Sequence, residues 1–360
     1  MGDKAEASFY CSSGFAKICV PEVLASGIQL IFEIMLKDFR APVLLVTFNR
    51  PQHTRRVLET VVAAQPHDLY VFQDGARMGN ENDLKKCAQV RQVVQSLTEN
   101  TNINLHTFFS EKNLGCGPGP MTALNWFFSE NEMGIVLEDD AVPHSDFFLY
   151  AEELLLKYKD DSSVCAIGSM NVDTQKWGDG SYYFSMMNRN LCAWATWRRA
   201  WNRFDLRLLH ISRRDLNKAL RWYGCGALER EYWCNRLDEV HKDGCGGRSW
   251  DMQFFMSIWL CHGKGIIPNV NISSNIGTVG EATHRMHAGN LIDNVPTQPV
   301  LPLVHPSSCE IQREADRQFH FRYFEPGKSG WGKAKTHYHL LNKRLKRLVG
   351  HQGPWLKKRK

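Results

Sequence analysis

The sequence predicts an α/β fold, with a mixed but mainly parallel central sheet flanked by helices. Three observations predict it. Short continuous apolar runs, the mark of strands buried on both faces, alternate with stretches whose apolar residues recur at helical spacing. That alternation gives parallel strands joined by right-handed crossovers. Polar residues gather where three of the apolar runs end, which is where such sheets bind ligands.

The elements follow in order. Pro42-Val-Leu-Leu-Val-Thr-Phe48 is the first strand. Asn49-Arg-Pro51 breaks it, and Pro51 suits the first turn of a helix carrying Val57, Leu58, Val61 and Val62. Leu69-Tyr-Val-Phe72 is the second strand, ended by Gln73-Asp74-Gly75. A polar helix is expected over 84–97 and a third strand over 103–109. The turn-rich run Asn113-Leu-Gly-Cys-Gly-Pro-Gly-Pro120 leads into a helix with Met121, Leu124, Phe127 and Phe128 on one side. Gly134-Ile-Val-Leu137 is the fourth strand and runs straight into Glu138-Asp-Asp140. Phe147, Phe148, Ala151, Leu154, Leu155 and Tyr158 mark one face of the next helix. From about residue 165 the chain is richer in Trp, Gly and Arg and less regular. Trp194, Trp197 and Trp201 recur at helical spacing and read as core.

With 43% hydrophobic and 23% charged residues in 360, a large α/β domain is possible and wholesale disorder is excluded. The expected organisation is an N-terminal extension over 1–38, a domain over 39–300 and a basic helical tail over 301–360. The net charge of +6 is concentrated between 328 and 360. Such a stretch suits an anionic membrane surface as well as a plain solvated tail. No nucleic-acid-binding motif accompanies it, so no nucleic-acid partner is expected. The best apolar stretch near the start, 27–36, is interrupted by Glu33 and is about half the roughly twenty residues of a membrane span. Residues 1–38 also lack the basic start and cleavage site of a signal peptide. A cytoplasmic protein is therefore expected, with the basic tail available for peripheral membrane contact. The eleven cysteines include no Cys-x-x-Cys pair and are odd in number, which favours free buried thiols in a reducing compartment.

Three consecutive acids after an apolar strand are costly unless a positive group meets them. A divalent cation bridging a diphosphate does so; a solvated strand end without ligand is the plainer alternative. Ser249-Trp-Asp251 precedes the apolar run 254–260, which fits a helix N-cap as well as a catalytic carboxylate. Arg198 lies among the tryptophans, and arginine can hold a phosphate bidentately. His284 follows a glycine-bearing loop, as a ligand or as a satisfied loop histidine.

Gly134-Ile-Val-Leu-Glu-Asp-Asp-Ala-Val-Pro-His-Ser-Asp-Phe-Phe148 resembles the metal-binding segment of N-acetylglucosaminyltransferase I and its relatives. Val46-Thr-Phe-Asn-Arg-Pro51 resembles their first-strand nucleotide loop, and Phe72-Gln-Asp-Gly75 their base-binding turn. Cys192-Ala-Trp-Ala-Thr-Trp-Arg-Arg-Ala-Trp201, Ser249-Trp-Asp-Met-Gln253 and Ile267-Pro-Asn-Val-Asn-Ile-Ser-Ser-Asn-Ile-Gly277, with Ala282-Thr-His284 after it, are similar to segments of bacterial-type sugar transferases. Over roughly 40–290 the chain thus resembles the GT-A nucleotide-diphospho-sugar transferases. That resemblance implies a Rossmann-like GT-A fold, with a nucleotide-binding half over 39–160 and an acceptor half over 161–300. It implies a nucleotide-sugar donor, a UDP-sugar first of all, and a glycan or glycolipid acceptor. Asp140 would be a direct ligand of Mn2+ or Mg2+, joined by His284. Thr47, Phe48, Asn49, Arg50, Glu138, Asp139 and Arg198 would meet the donor, and Asp74 would accept a hydrogen bond from the base. Asp251 would be the general base of an inverting transfer.

Two other functions compete. A nucleotidyltransferase needs a glycine-rich phosphate loop after the first strand, and Phe48-Asn-Arg-Pro-Gln-His-Thr54 has no glycine. A non-catalytic sugar- or nucleotide-binding relative would not need the acidic triplet, Asp74 and Asp251 together.

Overall fold

The computed structural model describes residues 40–172, 175–187, 193–242, 250–277 and 294–324, with positions 338, 342 and 345. The expected extension over 1–38, His284 and nearly all of the basic stretch lie outside the described residues.

Eight strands form one sheet in the order β3-β2-β1-β4-β8-β6-β9-β7. Strands β1 (Val43–Thr47), β2 (Asp68–Gln73), β3 (Asn104–Phe109) and β4 (Met133–Glu138) are mutually parallel. β8 (Ala193–Trp197) runs antiparallel to both β4 and β6 (Val164–Gly168). β9 (Lys264–Pro268) is parallel to β6, and β7 (Tyr182–Ser185) closes the far edge antiparallel to β9. The sheet is therefore mixed and mainly parallel, as the sequence predicts. A second, two-stranded sheet pairs β5 (Ala141–Pro143) with β10 (Ser273–Asn275).

The first half follows the hydrophobic pattern closely. Val43, Leu44, Leu45, Leu69, Val71, Phe72, Ile135 and Leu137 are fully buried. Burying each such side chain stabilises the fold by roughly 1.5–3 kcal/mol. Leu44, Tyr70, Phe72 and Val136 share one cluster with Leu124 and Phe127 of helix α3 (Pro118–Glu130). The alternation of strand side chains puts Val43, Leu45, Ile135 and Leu137 on the opposite face. Helix α1 (Pro51–Ala64) carries Pro51 at its start and buries Val57, Leu58 and Val61; it packs on β1. Helix α2 (Glu81–Thr98) is capped by Asn80, whose side chain accepts from the Asp83 N–H, and it packs beside α1. Helix α4 (Asp146–Lys157) packs against β4 and β8.

The second half departs from expectation. Trp194 and Trp197 are core residues, but they lie on strand β8 rather than on a helix. Only the short α5 (Arg198–Trp201) is helical there. Helices α6 (Arg213–Trp222), α7 (Ala227–Lys242) and α8 (Asp251–Leu260) build a second aromatic core with Trp233, Trp259 and Phe319.

The boundary expected at residue 300 does not fall there. Asp146 Oδ2 accepts from the N–H groups of Val300 and Leu301 at 2.8 and 3.1 Å. Ser181 and Val304 bond each other, and Gln312 N–H donates to Phe184 O. Helix α9 (Arg313–Tyr323) buries Asp316, which accepts from Ser185 Oγ and from Met186 N–H at 3.1 Å. Residues 300–324 are thus part of the folded body. The seven described cysteines are free thiols. Among the described residues, no helix is long and apolar enough to cross a membrane.

Candidate functional site

The parallel register brings three strand ends level. Thr47 lies opposite Gln73, and Val46 opposite Glu138. The chain therefore leaves β1 at Phe48-Asn-Arg50, β2 at Asp74 and β4 at Asp139-Asp140 along one edge.

Arg50 is the link between the first and last of these. Its guanidinium pairs with Asp139 and, through Nη1, with Asp140 Oδ2 at 3.0 Å. The Phe48 N–H also points at Asp139 Oδ2, at 3.4 Å. Burial alone would lower the pKa of Arg50, but the two carboxylates reverse this and raise it. Burial raises the pKa of Asp139, against the pull of Arg50, with the like charge of Asp140 adding to the rise. Glu138 is raised further, well above the usual carboxylate range. Burial is the main cause, followed by the charges of Asp140, Asp139 and, across from another element, Asp251. The structure therefore brings Arg50, Glu138, Asp139, Asp140 and Asp251 together.

Asp251 opens helix α8, but it is not the N-cap. Trp250 holds that position without a side-chain cap, and Asp251 Oδ1 accepts from its neighbour Met252 N–H at 2.8 Å. Trp250 anchors the helix start by packing on Trp194 of β8, ring centroids 5.8 Å apart.

Asp140 is held from behind. Its carbonyl accepts from Ile276 N–H at 2.9 Å, and β10 pairs with β5 just beyond it. Gly277 follows, its N–H bonded to Asn275 Oδ1 at 2.8 Å. The asparagines of the 267–277 run make this placement. Asn269 bonds Trp177 and the Gly180 carbonyl, while Asn271 bonds Asn171 N–H and the Ser273 carbonyl. Asp140 Oδ1 is buried and meets no hydrogen-bond donor. A buried carboxylate oxygen without a partner is costly, and a hard cation is one group that would satisfy it. Among the described residues, no group of three or more His, Cys, Asp or Glu is arranged as a cation cage. His284, the other expected ligand, lies outside the described residues.

The remaining predicted residues have other work. Thr47 Oγ1 donates to Phe72 O at 2.9 Å, tying β1 to β2. Phe48 carries its carbonyl against Gln73 Nε2 at 3.1 Å and lies under the Arg77 guanidinium. Asn49 donates to Asp83 Oδ1 at 2.7 Å.

Asp74 is a loop clamp in this structure rather than a free acceptor. Its two oxygens accept from the N–H groups of Gly75, Leu114 and Gly115 at 2.9, 2.8 and 2.9 Å, and from Asn113 Nδ2 at 3.1 Å. Four donors use the roughly four acceptor sites of a carboxylate, so no lone pair is left for a base. Gly75 must be glycine there, since a Cβ would stand 2.5 Å from the Lys112 carbonyl carbon.

Arg198 is at the wrong end of the sheet. β8 runs antiparallel to β4, so Arg198 follows Trp197 beside Met133, at the start of β4. Its guanidinium bonds Glu132 Oε1 and the carbonyl of Asn131 at 2.6 and 3.1 Å.

Sequence reasoning missed Asp83 and Arg77. Asp83 is fully buried on α2. Arg77 grips it through Nε and Nη2 at 2.5 and 2.9 Å. The Arg77 bonds first, and Asn49 next, hold the Asp83 carboxyl down at about 2 against the effect of burial. Asn80 three residues before Asp83 reads in the sequence as a helix N-cap, but the turn of the Asp83 carboxylate towards Asn49 and Arg77 depends on where β1 ends and leaves no local signal.

No protein-family model matches the chain, and no curated protein matches it. Solved structures with a similar fold include apo UDP-glucose pyrophosphorylase, 10% identical with a TM-score of 0.34, covering 65% of this chain and 92% of that one. HddC from Yersinia pseudotuberculosis is 11% identical with a TM-score of 0.27, covering 44% of this chain and 77% of that one. The 4-diphosphocytidyl-2C-methyl-D-erythritol synthase from Anaerococcus prevotii is 13% identical with a TM-score of 0.26, covering 45% and 73%. At these values none assigns a family or a reaction to the chain.

Proposed function

We propose that this chain is a glycosyltransferase, moving a sugar from a nucleotide-diphospho-sugar to a hydroxyl of a glycan or glycolipid with inversion. One observation carries the reading. Asp140 offers a buried, unpartnered oxygen inside a cluster of four carboxylates, beside a guanidinium that already bridges two of them. Asp140 would hold Mn2+ or Mg2+ against the donor diphosphate, where the cation supplies charge neutralisation of the leaving group.

The chain's own residues do the rest. Arg50 orients Asp139 and Asp140 and stands ready to meet phosphate oxygens. Glu138, at the end of β4 beside Asp139 and Asp140, would hydrogen-bond a hydroxyl of the donor. Asp251 is exposed at the mouth of the cluster. It takes the proton from the acceptor hydroxyl as that oxygen attacks the anomeric carbon. Asp74 does not select uracil in this arrangement, so UDP is the first donor nucleotide to try rather than an assigned one.

Calorimetric titration of UDP and GDP, with and without Mn2+, tests the reading. Metal-dependent nucleotide binding that Asp140→Ala abolishes and Asp251→Asn retains is the expected result. Binding of neither nucleotide, or binding indifferent to Mn2+ and to Asp140→Ala, would overturn it in favour of a non-catalytic role.

A further inference from the structure

A second constellation lies at the opposite end of the sheet from the acid cluster, where β6 and β9 begin. A cavity of about 590 Å³ opens there. Ser163, Arg203, Trp222, Cys261, Lys264 and Arg313 are among the side chains that line it. Cys261 ends helix α8 and is half-buried, whereas Cys165 of β6 is fully buried behind it. One nitrogen of Arg203, Nη1, lies 3.4 Å from the Cys261 sulfur and 3.6 Å from the Cys165 sulfur. Arg203 and Lys264 face the space against one acid, Glu310; the third cation of the lining, Arg313, is already paired with Glu229 and Asp316, each at 3.4 Å. Trp222 is more than half exposed at the rim and packs on His262, ring centroids 4.3 Å apart.

We propose that Cys261 is a modification site, and that its cavity takes small acidic disulfides, which leave an anionic thiol bound to it in a mixed disulfide. A reactive thiol is a partly exposed one whose anion is stabilised, and Cys261 meets both conditions where Cys165 does not. The neighbouring Cys165 thiol, which itself lies 3.6 Å from the Ser163 carbonyl, and Arg203 lower the Cys261 pKa, and burial opposes them. The Ile258 carbonyl, 3.1 Å from the Cys261 sulfur, holds the proton when the thiol is neutral. Tyr223, His262, Lys264, Cys309, Glu310 and Arg313 are the other titratable or charged groups lining the cavity. The Cys261 sulfur, as thiolate, attacks one sulfur of the incoming disulfide. The incoming S–S bond breaks, a new S–S bond forms to Cys261, and the second half leaves as a thiolate. Cys261 is oxidised and the leaving sulfur reduced, with no further reagent. The cations on the wall favour an incoming group bearing carboxylates.

The test uses the reduced full-length chain, incubated at neutral pH with glutathione disulfide or with neutral 2-hydroxyethyl disulfide. Peptide mass mapping reads which cysteine gains a thiol and how fast. Cys309 lines the same cavity without a guanidinium at its sulfur and serves as the internal control. Cys261 is expected to react on the order of tenfold faster than Cys309, with a preference for glutathione disulfide that Arg203→Gln removes. Equal rates at Cys261 and Cys309, or no preference between the two disulfides in the unmutated chain, would overturn the proposal. Neither outcome depends on a variant folding.

Discussion

Gly277 stands so close behind Asp140 that a Cβ on it would lie 2.0 Å from Asp140 Oδ2 and 2.9 Å from Asp140 Cβ. The clash reaches the root of the side chain, so rotating the carboxylate away does not relieve it. Gly277→Ala is therefore expected to displace Asp140 and cost nucleotide affinity by about tenfold or more, equivalent to roughly 1.4 kcal/mol. Thermal melting should fall only slightly, because the glycine lies beyond β10 rather than in the core. Unchanged Mn2+-dependent nucleotide binding in Gly277→Ala would show that the position of Asp140 does not matter.

The two arginines expected to meet the donor are predicted to separate. Arg50→Ala leaves Asp139 and Asp140 facing each other without their bridge and should abolish nucleotide binding. Arg198→Ala removes bonds at the start of β4 and should leave binding within about twofold. Calorimetry of the two variants decides it, and a loss of affinity in Arg198→Ala would contradict the strand direction as a guide to the site.

Glu138 gives a pH signature. Its folded pKa is raised, so the folded protein holds a proton that the unfolded chain releases above about 4.3. The carboxyl therefore costs the apo fold stability that grows as pH rises from about 4.3 towards the folded value of about 8. Glu138→Gln should raise the melting temperature at pH 8 and leave it nearly unchanged at pH 4. A uniform shift at both values would mean that the gain is not electrostatic.

Asp83 has the opposite sign. Its pKa is held at about 2 by Arg77 and Asn49, below the roughly 3.9 of an unfolded aspartate. Its contribution is complete above about pH 4 and is lost as pH falls towards 2. Asp83→Asn should melt earlier than the unmutated chain at neutral pH, with the difference closing on acidification. Differential scanning calorimetry across that range is the check.

The legible part of the fold was the part where one physical signal dominated. Strands such as 43–47 and 133–138 are buried on both faces and flanked by helices, so apolar runs and turn residues were enough. The tryptophans at 194 and 197 misled because their spacing fits a helix as well as a fully buried strand, where period carries no information. Arg198 was misplaced for a different reason: which end of the sheet it occupies depends on β8 running antiparallel, a non-local pairing. At the site, the acidic triplet and Asp251 stood out in the sequence because acids at a strand end and a helix start have few cheap structural uses, and the structure sets them near one another. Asp74 could not be read fully. A carboxylate at a strand end serves backbone N–H groups as readily as a ligand, and only the path of 112–115 decides between them.

Arg50 also changes what ligand binding means for this site. Its guanidinium already sits across Asp139 and Asp140, so a cation arriving at those carboxylates enters an exchange and not an empty place. The measured affinity is then a difference between two partnerships, and the displaced guanidinium becomes available to the diphosphate that accompanies the cation. Metal and nucleotide should accordingly bind as a pair, each weak without the other, with Arg50 as the swinging counter-ion that couples them.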